Sequence, residues 1–218
     1  TASYSKGTWS IPLDLKFAGS SIIFFSRGKI ALASAPLKAN KVLFNLKSGW
    51  SCRRLRSYLI GKHDLEVKEL NERALPIGLG DWRKKFGKDF SGDAEYLVDF
   101  ECDRETAAKA AILDLGKINY VCQVFLNGKK LGKKVWQSFS FPIKVIIKPG
   151  KNELKVVVTN TMANQYVTAR RLDQYPANII GPYHKIASNF EKESLPSGLY
   201  GPVRIYSHFQ ERGQDDVA

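Results

Sequence analysis

Two sets of residues in this 218-residue chain could do chemistry. The first is the carboxylates Asp81, Asp89, Asp93, Asp99, Glu101 and Asp173. Cleaving a glycosidic bond takes two carboxyl groups roughly 5–10 Å apart across a cleft, one as acid and one as base or nucleophile. The spacing pairs none of these six, and Asp99 and Glu101 share a strand face where both can simply be solvated, so no catalytic residue is assigned. The second set suits binding: Trp82, Trp136, and Asn160, Asn164 and Gln165 of the run Asn160-Thr161-Met162-Ala163-Asn164-Gln165, followed by Arg170 and Arg171. Aromatic rings stack on the apolar faces of sugars, while amides and guanidinium groups meet the hydroxyls. A structural alternative stays open for each: the tryptophans can pack a core, and the amides can satisfy loop backbone.

Other motifs exclude more than they suggest. Gly78-Leu79-Gly80 begins like a dinucleotide fingerprint, but Arg83 stands where the third glycine belongs and no strand–helix–strand context follows. There is no nucleophile-elbow, Walker or zinc-protease motif. Cys52, Cys102 and Cys122 form no CxxC pair, so one disulfide and three buried thiols both remain open. His63, His184 and His208 are too scattered for a metal cluster. Neither a cofactor nor a metal-ligand set can be read from the sequence.

The formal charge is +13, from 34 Lys plus Arg against 21 Asp plus Glu. The lysines are spread along the whole chain, and no RNA-recognition, helix-turn-helix or zinc-finger pattern accompanies them. Nucleic acid is therefore not the expected partner, although polyanion binding stands as an alternative function. The 44 % hydrophobic content supports a real core. No apolar run approaches the roughly 18 residues of a membrane span.

The elements that must position these residues are strands. Period-two alternation predicts strands at Ser21–Ser26, Lys41–Lys47, Asp64–Leu70, Ala94–Glu101, Lys109–Leu115, Ile118–Leu126, Phe141–Ile147, Glu153–Asn160 and Val203–His208. Asn127-Gly128 predicts a type I′ hairpin, and Pro149-Gly150 a second reversal. Thr161–Leu172 alone has helical composition, and residues 173 to 201 read as a long loop. Residues 31 to 75 are rich in Lys and Arg and poorly patterned.

An ordered series of motifs carries a resemblance. Phe90-Ser91-Gly92-Asp93-Ala94-Glu95-Tyr96 comes first, and then Leu113-Asp114-Leu115-Gly116-Lys117-Ile118. Cys122-Gln123-Val124-Phe125-Leu126-Asn127-Gly128, Leu131-Gly132, Trp136 and Phe141-Pro142 follow. The series closes with Gly150-Lys151-Asn152-Glu153-Leu154, Thr159-Asn160-Thr161-Met162-Ala163-Asn164 and Pro196-Ser197-Gly198-Leu199-Tyr200-Gly201-Pro202-Val203. Over roughly residues 79 to 205 this resembles the galactose-binding-domain-like jelly roll of glycoside hydrolase family 2, and more closely the related C-terminal region of bacterial α-L-rhamnosidase-type glycosidases. Pro12 to Phe25 resembles the last hairpin of a sandwich preceding that domain. The resemblance implies an all-β, antiparallel β-sandwich of jelly-roll type. Residues 1–75 are expected to be an N-terminal β segment from or linking to a preceding domain, residues 76–210 the jelly roll, and 211–218 a tail. It further implies a non-catalytic accessory region of a larger, secreted or periplasmic glycoside hydrolase acting on polysaccharide. Its partners would be a glycan and the catalytic domain of the same parent chain, and a structural calcium is compatible with such folds. A free-standing carbohydrate-binding module is the alternative. The start at Thr1, without Met or a signal region, is read as the mark of an excised piece.

Overall fold

The computed structural model describes residues 3–11, 13, 23, 25, 39–61, 65–168 and 195–208. The chain forms two compact units, Thr1–Pro36 and Leu37–Ala218. In the first, β1 (Ser3–Ser5) and β2 (Thr8–Ser10) make a hairpin. Its turn holds Lys6 and Gly7 at φ 49° and 81°, and Tyr4 lies opposite Trp9 with ring centroids 5.1 Å apart. The strand expected at Ser21–Ser26 lies outside the described residues except for Ile23 and Phe25, which carry no regular structure.

The second unit begins with β3 (Ala39–Asn45), β4 (Ser51–Ile60), β5 (Leu65–Glu69), β6 (Leu75–Pro76) and α1 (Arg83–Phe86). It continues through β7 (Gly92–Cys102), α2 (Arg104–Lys109), β8 (Ala110–Asp114), β9 (Lys117–Asn119), β10 (Val121–Leu126) and β11 (Lys129–Lys134). It ends with β12 (Ser140–Pro142), β13 (Gly150–Thr159), α3 (Ala163–Thr168), β14 (Gly198–Gly201) and β15 (Arg204–His208). The larger sheet runs β11-β10-β13-β7-β4-β5, with β6 beside β4, and the smaller runs β12-β8-β15-β3. All these pairings are antiparallel. The fold is the expected antiparallel β-sandwich.

Alternation builds the core. Ala94, Tyr96, Val98 and Phe100 of β7, Cys122, Val124 and Leu126 of β10, and Leu154, Val156 and Val158 of β13 point inward, each at most 7 % exposed. Leu113, Phe141, Val203 and Ile205 meet them from the other layer, and Phe44 of β3 touches Phe100 of β7 across the gap, with centroids 5.8 Å apart. The three cysteines are free and buried, and burial pushes the Cys122 thiol up to about 11, so none is a poised nucleophile. The Asn127-Gly128 turn forms as expected, with both residues at positive φ.

Three sequence readings differ from the structure. The chain does not divide at residues 75 and 76. β3 completes the smaller sheet and β4 pairs with β7 in the larger one, so residues 39 to 75 belong to the sandwich. The sequence hid β4 because Arg53, Arg54 and Arg56 read as solvated charge. In the structure they lie over Glu95, Glu72, and Glu69 and Asp93. The strand expected at Phe141–Ile147 stops at Pro142, and a turn follows in which the Ile143 carbonyl accepts from the Ile146 and Ile147 amides. The end of the long loop expected over 173–201 is strand β14, held against β9; residues 173 to 194 lie outside the described residues. Helical structure within Thr161–Leu172 covers Ala163–Thr168, and residues 169 to 172 also lie outside. No described helix is long and apolar enough to cross a membrane.

Gly116 bridges Gly201 in parallel, and a Cβ on Gly116, at φ 64°, would sit 2.4 Å from the Gly201 carbonyl. Gly116→Ala is expected to lower stability by about 1–3 kcal/mol from backbone strain alone, with the clash adding to it. A urea titration followed by circular dichroism measures the loss.

Candidate functional site

The return of the chain at residues 195 to 201 organises one end of the sandwich. The Gly80 amide donates to the Leu199 carbonyl at 2.8 Å and the Trp82 amide to the Ser197 carbonyl at 2.9 Å, so the segment before α1 runs alongside β14. A Cβ at Gly198, where φ is 126°, would lie 2.5 Å from the Gly80 carbonyl oxygen, so only glycine allows this approach.

Several residues expected to bind ligand converge here, as the buried footing of the end. Trp82 is fully buried, stacked on Tyr96 at 6.2 Å and packed on Phe86 and Phe90. It offers no ring face to a sugar, so the core reading holds for it. Asn160 accepts from the Gly92 amide at 2.8 Å and donates to the Phe90 carbonyl and to Ser197 Oγ at 2.8 and 3.1 Å. Asn164 accepts from the Leu195 amide at 2.7 Å and donates to the Leu195 carbonyl at 3.0 Å and Ser197 Oγ at 3.1 Å. Gln165 accepts from the Ile60 amide at 2.9 Å, tying α3 to the end of β4. The Asn160 and Asn164 amides are spent on backbone and on the Ser197 hydroxyl, for which loop asparagine is suited, and the Gln165 carbonyl on the Ile60 amide. Trp136, by contrast, is 62 % exposed in the β11–β12 connection, beside exposed Val135, and its ring remains free to stack. Arg170 and Arg171 lie outside the described residues.

Outside this footing sits a layer that the sequence did not bring together. Asp81 receives the Arg83 guanidinium, Nη2 at 2.6 Å and Nε at 2.7 Å, and the Arg83 and Ser197 amides at 3.0 and 3.4 Å. Burial raises the Asp81 pKa, but these donors outweigh it and hold the carboxyl below its usual range. Tyr200 lies beneath the Lys117 ammonium, 5.0 Å from ring centroid to Nζ. Burial first, and then the Asp81 charge, push its phenol up to about 12. Tyr120 is partly exposed and also raised by burial, with Arg83 pulling the other way. The end therefore presents two neutral phenols, an anchored carboxylate–guanidinium pair and an ammonium. That set can stack on an apolar ring face and bond to hydroxyls. The sequence signals for it were Asp81 among the candidate carboxylates and the placement of Tyr200 and Lys117 in the motif series. Among the described residues no group of His, Cys, Asp and Glu could hold a metal ion.

Comparisons with known proteins agree with this architecture. A family model described as "Glycosyl hydrolase 2 galactose-binding domain-like" matches residues 84–193. A curated Formosa agariphila protein, provisionally named a beta-glucuronidase, is 30 % identical over 142 residues, covering 54 % of this chain. The chain spans only 12 % of that relative's length. The solved Bifidobacterium dentium beta-glucuronidase superposes with a TM-score of 0.51 at 19 % identity, covering 79 % of this chain and 31 % of that one, which speaks for a shared fold. A rhamnosidase from Novosphingobium sp. PP1Y gives a TM-score of 0.47 at 23 % identity, covering 82 % and 16 %.

Two measurements test the end. Asn160→Ala leaves a buried amide and carbonyl unpaired and is expected to cost about 2–4 kcal/mol in chemical denaturation. For Asp81 the lowered folded pKa means stabilisation that is complete above the ordinary carboxylate range and is lost as pH falls through the lowered value. Asp81→Asn is therefore expected to be less stable than the parent by about 1–2 kcal/mol at neutral pH, with the gap closing below about pH 4. A gap independent of pH would contradict the assignment.

Proposed function

Since the chain belongs to the glycosyl hydrolase 2 galactose-binding domain-like family, we propose that it is a non-catalytic accessory sandwich of a larger, secreted glycoside hydrolase acting on polysaccharide. In this reading it contacts glycan weakly through the Asp81–Arg83–Lys117–Tyr120–Tyr200 end, while another domain of the parent chain cleaves the bond. The observation that carries the reading is the family match over about half of a chain that corresponds to 12 % of a longer hydrolase-like relative.

A second reading has one observation in its favour. The exposed ring of Trp136 is what a free-standing carbohydrate-binding module would use.

The isolated chain, incubated with nitrophenyl glucuronide, rhamnoside and galactoside, is expected to release no nitrophenol above a protein-free blank. Release abolished by Asp81→Asn would overturn the accessory reading. In titrations with a neutral and acidic oligosaccharide panel, Tyr200→Ala is expected to weaken binding about five- to tenfold, the loss of one ring contact. If Trp136→Ala abolishes binding and Tyr200→Ala leaves it unchanged, the module reading replaces it.

A further inference from the structure

The outer face of the larger sheet has a charge arrangement that neither the fold nor the end site requires. Strand register sets its rows. Arg53 pairs with Glu95, Glu95 with Val157, Val157 with Gln123 and Gln123 with Lys133, one continuous row across β4, β7, β13, β10 and β11. The next row is Ser51, Leu97, Lys155, Phe125 and Lys130. At the other side Arg56, Asp93 and Thr159 line up. The neighbouring residues Cys52, Tyr96, Val156 and Val124 are buried in the core, so these rows face away from it.

Within the rows the acids lie low and the cations lie over them. Glu95 and Asp93 are 5 % and 7 % exposed. Glu95 is held by Arg53 at 2.8 Å and Lys155 at 3.5 Å. Asp93 receives Tyr58 at 2.9 Å, Thr159 at 2.6 Å and Arg56 at 3.6 Å. Arg53 and Lys155 keep about a third of their side chains in solvent, and Arg56 about half. Lys130 and Lys133 are exposed, and no ion pair among the described residues engages them. Solvent therefore meets the exposed parts of Arg53 and Lys155 and the exposed Lys130 and Lys133, while Arg56 is shared with the exposed Glu69. Beyond the second row the sign reverses: Glu153 pairs with Asp99 and Lys151 with Glu101. The cationic band is bounded there and runs across the strands. At a strand spacing of about 4.8 Å, five strands make it about 19 Å long, enough for several sugar rings.

We propose that this band binds a carboxylate-bearing polysaccharide, a polyuronate chain laid across β4, β7, β13, β10 and β11; the proposal rests on the accessory reading above and names the ligand chemistry. Charge complementarity selects an anion. The face already shows ammonium and guanidinium groups seated on carboxylates, which fits a uronate. Gln123, Thr159 and Ser51 supply hydroxyl partners, and Val157 and Leu97 supply apolar contact for sugar C–H faces. A single-stranded nucleic acid would instead call for a run of open stacking rings. Here the two rows hold a single ring, Phe125, with Lys155 over it at 5.8 Å.

The test titrates the whole chain with oligogalacturonate, cellohexaose, chondroitin sulfate oligosaccharide and oligo-dT. Oligogalacturonate is expected to bind saturably and to weaken about tenfold between ~50 and ~200 mM salt. Lys130→Gln/Lys133→Gln is expected to weaken it about fivefold with an unchanged circular dichroism spectrum, and Lys84→Gln/Lys85→Gln, which removes the same net charge elsewhere, to leave it unchanged. Equal loss in both double variants, equal affinity for cellohexaose, tighter binding of the sulfated chain or of oligo-dT, or no binding of oligogalacturonate would each overturn the proposal. Nitrophenol release by the chain would instead sink the accessory reading and leave this binding result standing, so the two failures are distinguishable.

Discussion

The side chains of Asn160 and Asn164, clamped with Ser197, hold the start of β7, the end of β13 and the returning strand β14 in one place. β7 and β13 are the longest partners in the sandwich, in unbroken register of Asp93–Cys102 against Gly150–Thr159. The chain then leaves the sheet and must come back to close the core beside Trp82. A buried amide has a full complement of donors and acceptors, and Asn160 and Asn164 spend theirs on backbone groups that would otherwise be orphaned. Ser197, fully buried, receives both amides and donates its own hydroxyl hydrogen bond to the Leu195 carbonyl. Removing any member would leave its partners dry and unpaired, which is the costly half of hydrogen bonding.

The same closure explains why the solvent-facing layer of this end is polar and fixed. Once the segment before α1 is zipped to β14, Asp81 and Arg83 fall at the mouth of the zip. The Ser197 amide then reaches the Asp81 carboxylate from below while the guanidinium covers it from the side. Tyr200 and Lys117 come from the facing strands β14 and β9. A polar layer built on strand ends over a hydrogen-bonded footing is held in place, and were it to meet a ligand it would lose little freedom.

Much of this was legible in the sequence, and what was not has identifiable causes. β7, β10 and β13 announced themselves by alternation because one face is core and the other is not, and the Asn127-Gly128 turn by its demand for positive φ. The family resemblance rested on residues that the structure shows in closing roles: Ser91, Gly92, Asn160, Asn164, Ser197 and Gly198. β4 escaped because its outward residues are arginines whose acidic partners lie on β7 and in the segment near Glu72, far away in sequence. Trp82 stayed open between core and binding for a related reason: its polar neighbours Asp81 and Arg83 decide neither, and only the zip to β14 puts it against Tyr96. The amides were rightly noticed as unusual, but a sequence cannot tell whether an asparagine reaches for a ligand or for its own backbone.

Charge gives the last step. A +13 chain would repel itself if its cations were evenly solvated, yet the most buried acids of the larger sheet lie beneath its arginines and a lysine. Burying Glu95 and Asp93 is tolerable only because each is multiply hydrogen-bonded or ion-paired. That arrangement takes negative charge out of solvent view while leaving the positive ends partly in it. Part of the excess is thus shown to solvent in a band whose position is set by strand register and not by any run of basic residues. This is why the charge, uninformative as a composition, becomes informative as a surface.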